Sequence, residues 1–491
     1  MPIRLTRSTL ASLKSPIVVP HYDLGRVRTG IVHLGLGGFH RAHMARYTHD
    51  LMQRDEALEW GIAGAGLLPG DRRMQESLAP QDDLYTLVER DMSGATVTVI
   101  GSLSQVIFAG ESSAELLRAI DDKAVRIISL TVTEHGYCLN RATKHLDPEH
   151  PLINKDLAHP HEPASAIGVI VEALRRRMEA KAPPPTLMTC DNIQQNGEVL
   201  RDAVLTLAGL QDKALARWIE AEVSFPSTMV DRITPVTAEA DIAWLAATQG
   251  IDDRWPVFSE TFTQWAIEDR FTQGRPAWET VGAQFVGDVA PYEFMKLRLL
   301  NGSHLAVSGV GRLMDYVTID ESMADQLITG LMVALMDRET GPTLPEVPGV
   351  DVAAYKAKLV ERFANPAIKD TVDRVNTDAP VNVLMDPIRD RLRDDAPVEL
   401  LALALAAWLR RVRGEDERGQ PLVVKHPMAD ALRARAIEGG RDPRPLLAME
   451  GLFGAAGRDD RLIEPVGRWL ASLYDKGCRA TLEEAARGQS F

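Results

Sequence analysis

The chain has 491 residues, of which 45% are hydrophobic and 25% charged, enough for two globular domains with cores of their own. Its formal net charge of −14, with no basic block to offset it, argues against nucleic acid as a partner and against a membrane-surface role. No run of about 18 apolar residues occurs, Met1-Pro-Ile-Arg-Leu-Thr-Arg7 carries no apolar signal core, and Cys138, Cys190 and Cys478 are too few and scattered for a disulfide framework. A cytoplasmic protein is expected.

The first element with chemical content is Gly30-Ile-Val-His-Leu-Gly-Leu-Gly-Gly-Phe-His-Arg-Ala-His43. A β-prone run from Ile31 to Leu34 leads into Gly35-Leu36-Gly37-Gly38, and helix-compatible residues follow from Arg41 through Met52. Strand, glycine turn and helix N-terminus together make a pyrophosphate cradle, because glycines let backbone N–H groups approach the phosphates. Leu34, Gly35, Leu36, Gly37, Gly38, Phe39, His40 and Arg41 are therefore the candidate cofactor-binding residues. His40 occupies the third position of the usual G-x-G-x-x-G pattern, so helix–strand packing there must be achieved without a glycine. Glycine turns of this kind also occur without any nucleotide, and the segment alone decides nothing.

Further strands are expected at Trp60 to Ala65, Val97 to Ile100, Val125 to Val132 and Thr186 to Thr189, with helices at Ala114 to Asp121 and Ala164 to Ala180. This alternation predicts a parallel, doubly wound sheet with its sites at the carboxyl ends of the strands, where the glycine loop and Asn192 both fall. From about Pro291 the pattern turns helical, with amphipathic segments at Met323 to Met336, Asp351 to Phe363, Val398 to Arg411 and Leu462 to Tyr474. The reading is an α/β dinucleotide-binding domain over 1–285, a mostly α-helical domain over 286–491, and a substrate cleft between them.

Within the second region, Lys296-Leu-Arg-Leu-Leu-Asn-Gly-Ser-His304 sets an amine, a carboxamide and an imidazole into an apolar helical pattern. At about 100° per residue, Asn301 lies roughly 140° and His304 roughly 80° around the axis from Lys296, so the three heads share one broad face. Such a trio must be satisfied by hydrogen bonds, solvent or a ligand. A helix end with a solvated lysine and two hydrogen-bonded core residues remains the plain alternative. A metal site is rejected, since His40-Arg-Ala-His43 and His159-Pro-His161 lack the cysteine or carboxylate partners that would complete a coordination set.

Taken together the segments resemble the polyol-specific long-chain dehydrogenase/reductase family, the mannitol dehydrogenase family. Gly35 to His43 resembles its G-x-G-x-F-H-R-A-H cofactor loop, and Cys190-Asp-Asn192 its C-D-N motif. Phe225-Pro-Ser-Thr-Met-Val-Asp-Arg-Ile-Thr-Pro235 resembles its substrate-domain signature, and Lys296 to His304 its K-x-x-x-x-N-x-x-H catalytic helix. The resemblance implies a Rossmann-type N-terminal domain, a helical C-terminal domain, the monomeric state common in the family with a dimer as the alternative, and an NAD-dependent, metal-independent oxidoreductase. It further implies D-mannitol and D-fructose as substrate and product. A hexuronate substrate, as for fructuronate reductase, is the nearest alternative, with arabinitol or sorbitol next. A non-catalytic NAD sensor is remote.

The resemblance also implies roles. Lys296 is the base, Asn192 and Asn301 hold the reacting oxygen, and His304 orients a substrate hydroxyl. Glu293 matches a position resembling a proton relay, against the alternative of a surface carboxylate at a helix start. Asp231 and Arg232 bind polyol hydroxyls or form an ion pair, and Arg374 falls where relatives place a substrate-facing arginine. Asn376-Thr-Asp-Ala-Pro-Val-Asn382 departs from the family's D-G-S-x-K-x-P and has no lysine. Asp71, after the second strand, is aligned with the acid that bonds the ribose 2′-hydroxyl, although Arg72 and Arg73 beside it could accept a 2′-phosphate.

Overall fold

The computed structural model describes residues 2–140, 143–378, 380–489 and 491, and of 376–378 and 489 the backbone alone. It forms two compact units, Met1–Ala290 and Pro291–Phe491.

In the first unit, β1 (Thr29–Leu34), β2 (Gly61–Gly66), β3 (Leu103–Phe108), β4 (Ile127–Leu130) and β5 (Thr186–Thr189) form one parallel sheet in the order β3-β2-β1-β4-β5. The strand order reverses between β1 and β4, so the carboxyl ends of these two strands flank the switch point at which such sheets bind ligands. Leu34 of β1 sits beside Ala65 of β2 and Leu130 of β4. Ile31, Val32, Leu34, Ile128 and Leu130 are all fully buried, as expected of strands covered by helices on both faces. Each contributes about 1.5–3 kcal/mol relative to exposure.

Val97 to Ile100 belongs to Gly94–Ile100, which turns back antiparallel on Tyr85–Asp91 in a separate sheet that also holds Val257–Glu260. The third parallel strand is Leu103–Phe108, where Ser104 and Gln105 dilute the apolar run. The helix expected from Arg41 through Met52 is two helices, α1 (Gly38–Ala42) and α2 (Met44–Met52), broken at His43 with φ −118° and ψ −95°. The His43 ring is held among Phe39, Tyr47 and Trp265, with Nε2 3.1 Å from the Gln264 carbonyl, and this packing sets the break.

The helix α3 (Ala166–Glu179) begins where Ser165 Oγ accepts the Gly168 N–H at 2.8 Å, an ordinary N-cap. The helix α4 (Asn196–Gln211) follows β5, and β6 (Thr228–Asp231) pairs antiparallel with Gln264–Glu268. Buried Asn196 ties these pieces together. Its amide donates to the carbonyls of Asp191 and Thr228 and accepts from the Thr228 N–H. Two motifs far apart in the chain are thereby locked to one strand end.

In the second unit, α5 (Ala290–Met295) runs into a π-helical turn, Lys296–Asn301, and then into α6 (Gly302–Leu313). Every residue of α6 except Arg312 is buried, and α7 (Glu399–Arg411), buried from Leu400 onward, packs along it. The expected helix Met323 to Met336 is divided: Asp325 caps a new helix, Gln326–Leu335, by accepting the Leu327 N–H. Among the described residues no helix is long and apolar enough to cross a membrane.

Candidate active site

The glycine loop leaves β1 at the switch point. Gly35 has φ +88°, and a Cβ there would lie 2.2 Å from the Thr131 carbonyl oxygen, so only glycine fits. Gly37 is different. A Cβ on it would meet nothing nearer than the Gly35 oxygen at 3.9 Å, so nothing among the described residues explains its lack of a side chain. Open space over Gly37 is what a pyrophosphate needs to approach the backbone, and the loop fits a dinucleotide on that ground. Leu36 packs over Gly64 of β2, where a Cβ would come within 2.6 Å of it.

His40 resolves the missing third glycine. Its ring stacks on His33 of β1 with centroids 3.4 Å apart and planes 17° from parallel. The Thr131 hydroxyl donates to the Gly35 carbonyl, which leaves its oxygen to accept from His33 Nε2–H at 2.9 Å, while Ser129 Oγ lies 2.8 Å from Nδ1. Burial pushes the His33 pKa down to about 3, and burial followed by the neighbouring His33 puts that of His40 well below the usual range. Two neutral rings thus replace the close helix–strand contact. Arg41 is buried as well, donating to the Trp255 carbonyl and lying 5.1 Å from the Tyr85 ring centre.

Asp71 lies half-buried against the end of β2. Its Oδ2 accepts the Leu68 N–H at 2.9 Å, and Gly66 makes room for it, since a Cβ there would lie 2.4 Å from Asp71 Cβ. The adjacent arginines are both engaged. Arg72 lies over Phe108 and pairs with Glu111, and Arg73 lies over Trp255.

Asn192 is exposed at the carboxyl end of β5, directly after buried Asp191. Asp231 is buried in β6, with Gln264 as its strand partner. Arg232 adopts the ion-pair alternative: its guanidinium pairs with Glu89 and donates to the carbonyls of Ala42 and Glu260. Those bonds engage all three of its nitrogens.

In the second unit, Glu293, Lys296 and His304 are 6%, 9% and 8% exposed, and Asn301 is half-buried. Neither the surface-carboxylate alternative for Glu293 nor the solvated-lysine alternative holds. His304 stacks on Phe363 with ring centres 3.8 Å apart. The π turn alters the expected spacing. The Gly302 N–H reaches back five residues to the Leu297 carbonyl, so each residue turns through less than in an α-helix. Lys296 and Asn301, five apart, therefore come nearer to one side than the 100° rule places them. Arg298, within the turn, pairs with Asp390 at 2.5 Å and donates to the Thr343 carbonyl, which anchors the turn to the surrounding helices. Arg374 is exposed and pairs with Asp370 through two nitrogens. The side chains of 376–378 and all of Ala379, in the divergent segment, lie outside the described residues.

Sequence reasoning missed Asp191, His33 and the Arg298–Asp390 pair. Only Asp191 carried a signal, its place between Cys190 and Asn192 at a strand end.

The chain matches the family model for the mannitol dehydrogenase Rossmann domain over residues 29–280 and that for the mannitol dehydrogenase C-terminal domain over 288–474. It is 40% identical to a mannitol 2-dehydrogenase of Aspergillus fumigatus, covering 98% of this chain and 99% of that protein. Mannitol dehydrogenase 2 of Saccharomyces cerevisiae is also 40% identical, over 98% of this chain and 97% of its own length. Among solved structures, the Pseudomonas fluorescens mannitol 2-dehydrogenase ternary complex with NAD and D-mannitol is 41% identical, with a TM-score of 0.88 over 99% of this chain and 100% of the other. A substrate-free D-sorbitol dehydrogenase is 34% identical, also at 0.88, over 97% of this chain and 100% of the other. With both domain models matched in order and relatives alike along nearly the whole chain, the protein belongs to the mannitol dehydrogenase family.

Proposed function

We propose that this NAD-dependent polyol dehydrogenase interconverts D-mannitol and D-fructose, with Lys296 as the base and no metal. The observation that carries the reading is a buried lysine on a π turn, in a chain 41% identical to a mannitol 2-dehydrogenase solved with NAD and D-mannitol. Bound NAD supplies the hydride acceptor. The hydroxyl proton of the polyol passes to the Lys296 amine as the carbon loses its hydride, leaving ketose, reduced cofactor and one proton. A base must arrive unprotonated, and a buried position, where an ammonium ion loses its water, is where a lysine does so. Asn192 and Asn301 are donors that never titrate, suited to an oxygen that gains charge as the proton leaves. His304 is fixed by Phe363 and bonds a neighbouring hydroxyl, and Glu293 carries the proton onward. Asp231 contributes to the polyol site.

Arg374 bears on the hexuronate alternative. A carboxylate substrate needs a cation, and the charge of Arg374 is already countered by Asp370. The reading therefore gives Arg374 a neutral hydroxyl to bind. Three of the histidines in His40-Arg-Ala-His43 and His159-Pro-His161 have other partners: His40 stacks on His33, His43 lies beside the Gln264 carbonyl and His161 pairs with Glu172. A panel of hexitols, pentitols and hexuronates followed by NADH absorbance tests the substrate, with the highest kcat/KM expected on mannitol and fructose. A higher value on fructuronate contradicts it. Chelation that abolishes turnover contradicts the metal-free reading.

A further inference from the structure

We propose that Asp191 is a positioning residue whose single carboxylate holds the Thr131–Gly136 segment in a strained turn and, through its own backbone, fixes Asn192. The proposal rests on the reading of Asn192 as an oxygen donor.

Thr133 has φ +61°, in the left-handed region. A β-branched residue is among those least able to adopt it, and such conformations persist only where the surroundings over-determine them. Asp191 supplies that determination. The Val132 N–H donates to one carboxylate oxygen at 3.0 Å and the Thr133 N–H to the other at 2.9 Å. The Tyr137 hydroxyl donates to the carboxylate at 2.9 Å from the far side of the turn. Asp191 is 7% exposed, so these three donors replace the water its carboxylate has lost.

The main chain of Asp191 is pinned equally. Its N–H donates to Thr189 Oγ1 at 3.1 Å, and its carbonyl accepts from the Ile193 N–H and the Asn196 amide. Asn192, the next residue, is therefore held by its backbone while its side chain stays exposed. The turn carries three more exposed side chains, Thr133, Glu134 and His135, and its Thr131 carbonyl is the atom that forbids a side chain on Gly35. One buried carboxylate thus ties a polar crest after β4 and Asn192 after β5 into one edge of the sheet. A carboxylate that served only the fold would need no strained threonine beside it.

The test uses the full-length enzyme and a glycine rescue. Asp191→Asn places an amide against two N–H groups, so the turn relaxes, and kcat is expected to fall by about 10²-fold, the scale of a small misplacement. The melting temperature and NADH affinity should change far less. Glycine adopts the left-handed turn without a Cβ penalty, so Asp191→Asn with Thr133→Gly should recover about tenfold of that loss. Asp191→Asn with Thr133→Ala, which keeps the Cβ, should recover much less. A glycine double variant no faster than Asp191→Asn, or wild-type kcat per folded molecule in Asp191→Asn, overturns the proposal. If Asp191→Asn does not fold, Tyr137→Phe removes one donor and should lower kcat less. Thr133→Gly should again restore it, and no restoration overturns the proposal equally. Failure of the Asn192 reading shows separately, as undiminished kcat in Asn192→Ala.

Discussion

The stack of His40 on His33, 3.4 Å between ring centres, stands where relatives of the Rossmann fingerprint place a glycine. It packs the first helical turn onto β1 with two neutral imidazoles and leaves Gly35 and Gly37 with separate duties.

Those duties predict different failures. Gly35→Ala should destabilise the protein by about 1–3 kcal/mol or more, since both φ and the Thr131 carbonyl oppose a Cβ. Gly37→Ala should melt within a few degrees of wild type yet bind NADH at least about tenfold more weakly, because its methyl fills phosphate space rather than protein space. Thermal melts and NADH fluorescence titrations of both variants check this. Equal loss of stability in the two contradicts it.

The stacked histidines make stability depend on acid. Their folded pKa values lie below the ordinary 6.5, at about 3 for His33, and His49 is also pushed down to about 3. Between pH 6.5 and about 3 the unfolded chain binds protons that the folded chain refuses. Stability therefore falls as pH falls through that window, by up to about 1.4 kcal/mol per pH unit for each ring. His40→Phe keeps a ring in the stack and removes one titrating group. Its melting temperature should decline less steeply from pH 6.5 to 4, and an unchanged slope means the pair is not what titrates.

Much of this site was legible in the chain, for reasons that differ by element. β1, β2, β4 and β5 are buried almost residue by residue, which demands compact and largely apolar runs, whereas β3 leaves Ser104 half-buried and Gln105 exposed and so lacks that signature. The glycine loop and the Lys296 segment read from residue type and spacing alone. The π turn did not, since a shift from four- to five-residue hydrogen bonds has no residue signature in Lys-Leu-Arg-Leu-Leu-Asn. Arg232 was ambiguous because its partner Glu89 is distant in sequence, and the same holds for Asp191 and the backbone donors of Val132 and Thr133.

Cofactor choice should turn on Asp71. Asp71→Ala removes an acceptor for the ribose 2′-hydroxyl and the repulsion of a 2′-phosphate, so the ratio of kcat/KM for NAD over NADP should narrow. Gly66→Ala should act in the same direction, because its methyl displaces the Asp71 side chain. An unchanged ratio in both variants removes Asp71 from the cofactor site.

Asn192→Ala and Asn301→Ala should each slow turnover by roughly 10²-fold, the scale for losing one donor to a developing oxyanion. NADH affinity should hold, since neither residue belongs to the glycine loop. Steady-state kcat beside an NADH titration separates the two effects, and near-wild-type kcat in both variants defeats the oxygen-donor assignment.

The central claim is that Lys296 takes the proton, and the pH dependence of polyol oxidation tests it most directly. In the wild type, kcat/KM should rise with pH and level off at an apparent pKa well below the free lysine value of about 10.4. Lys296→Ala should cut the rate severely and abolish that ionisation, with small primary amines restoring part of the activity. A variant that keeps the same apparent pKa at reduced amplitude contradicts the account, and places the base at Glu293 or His304 instead.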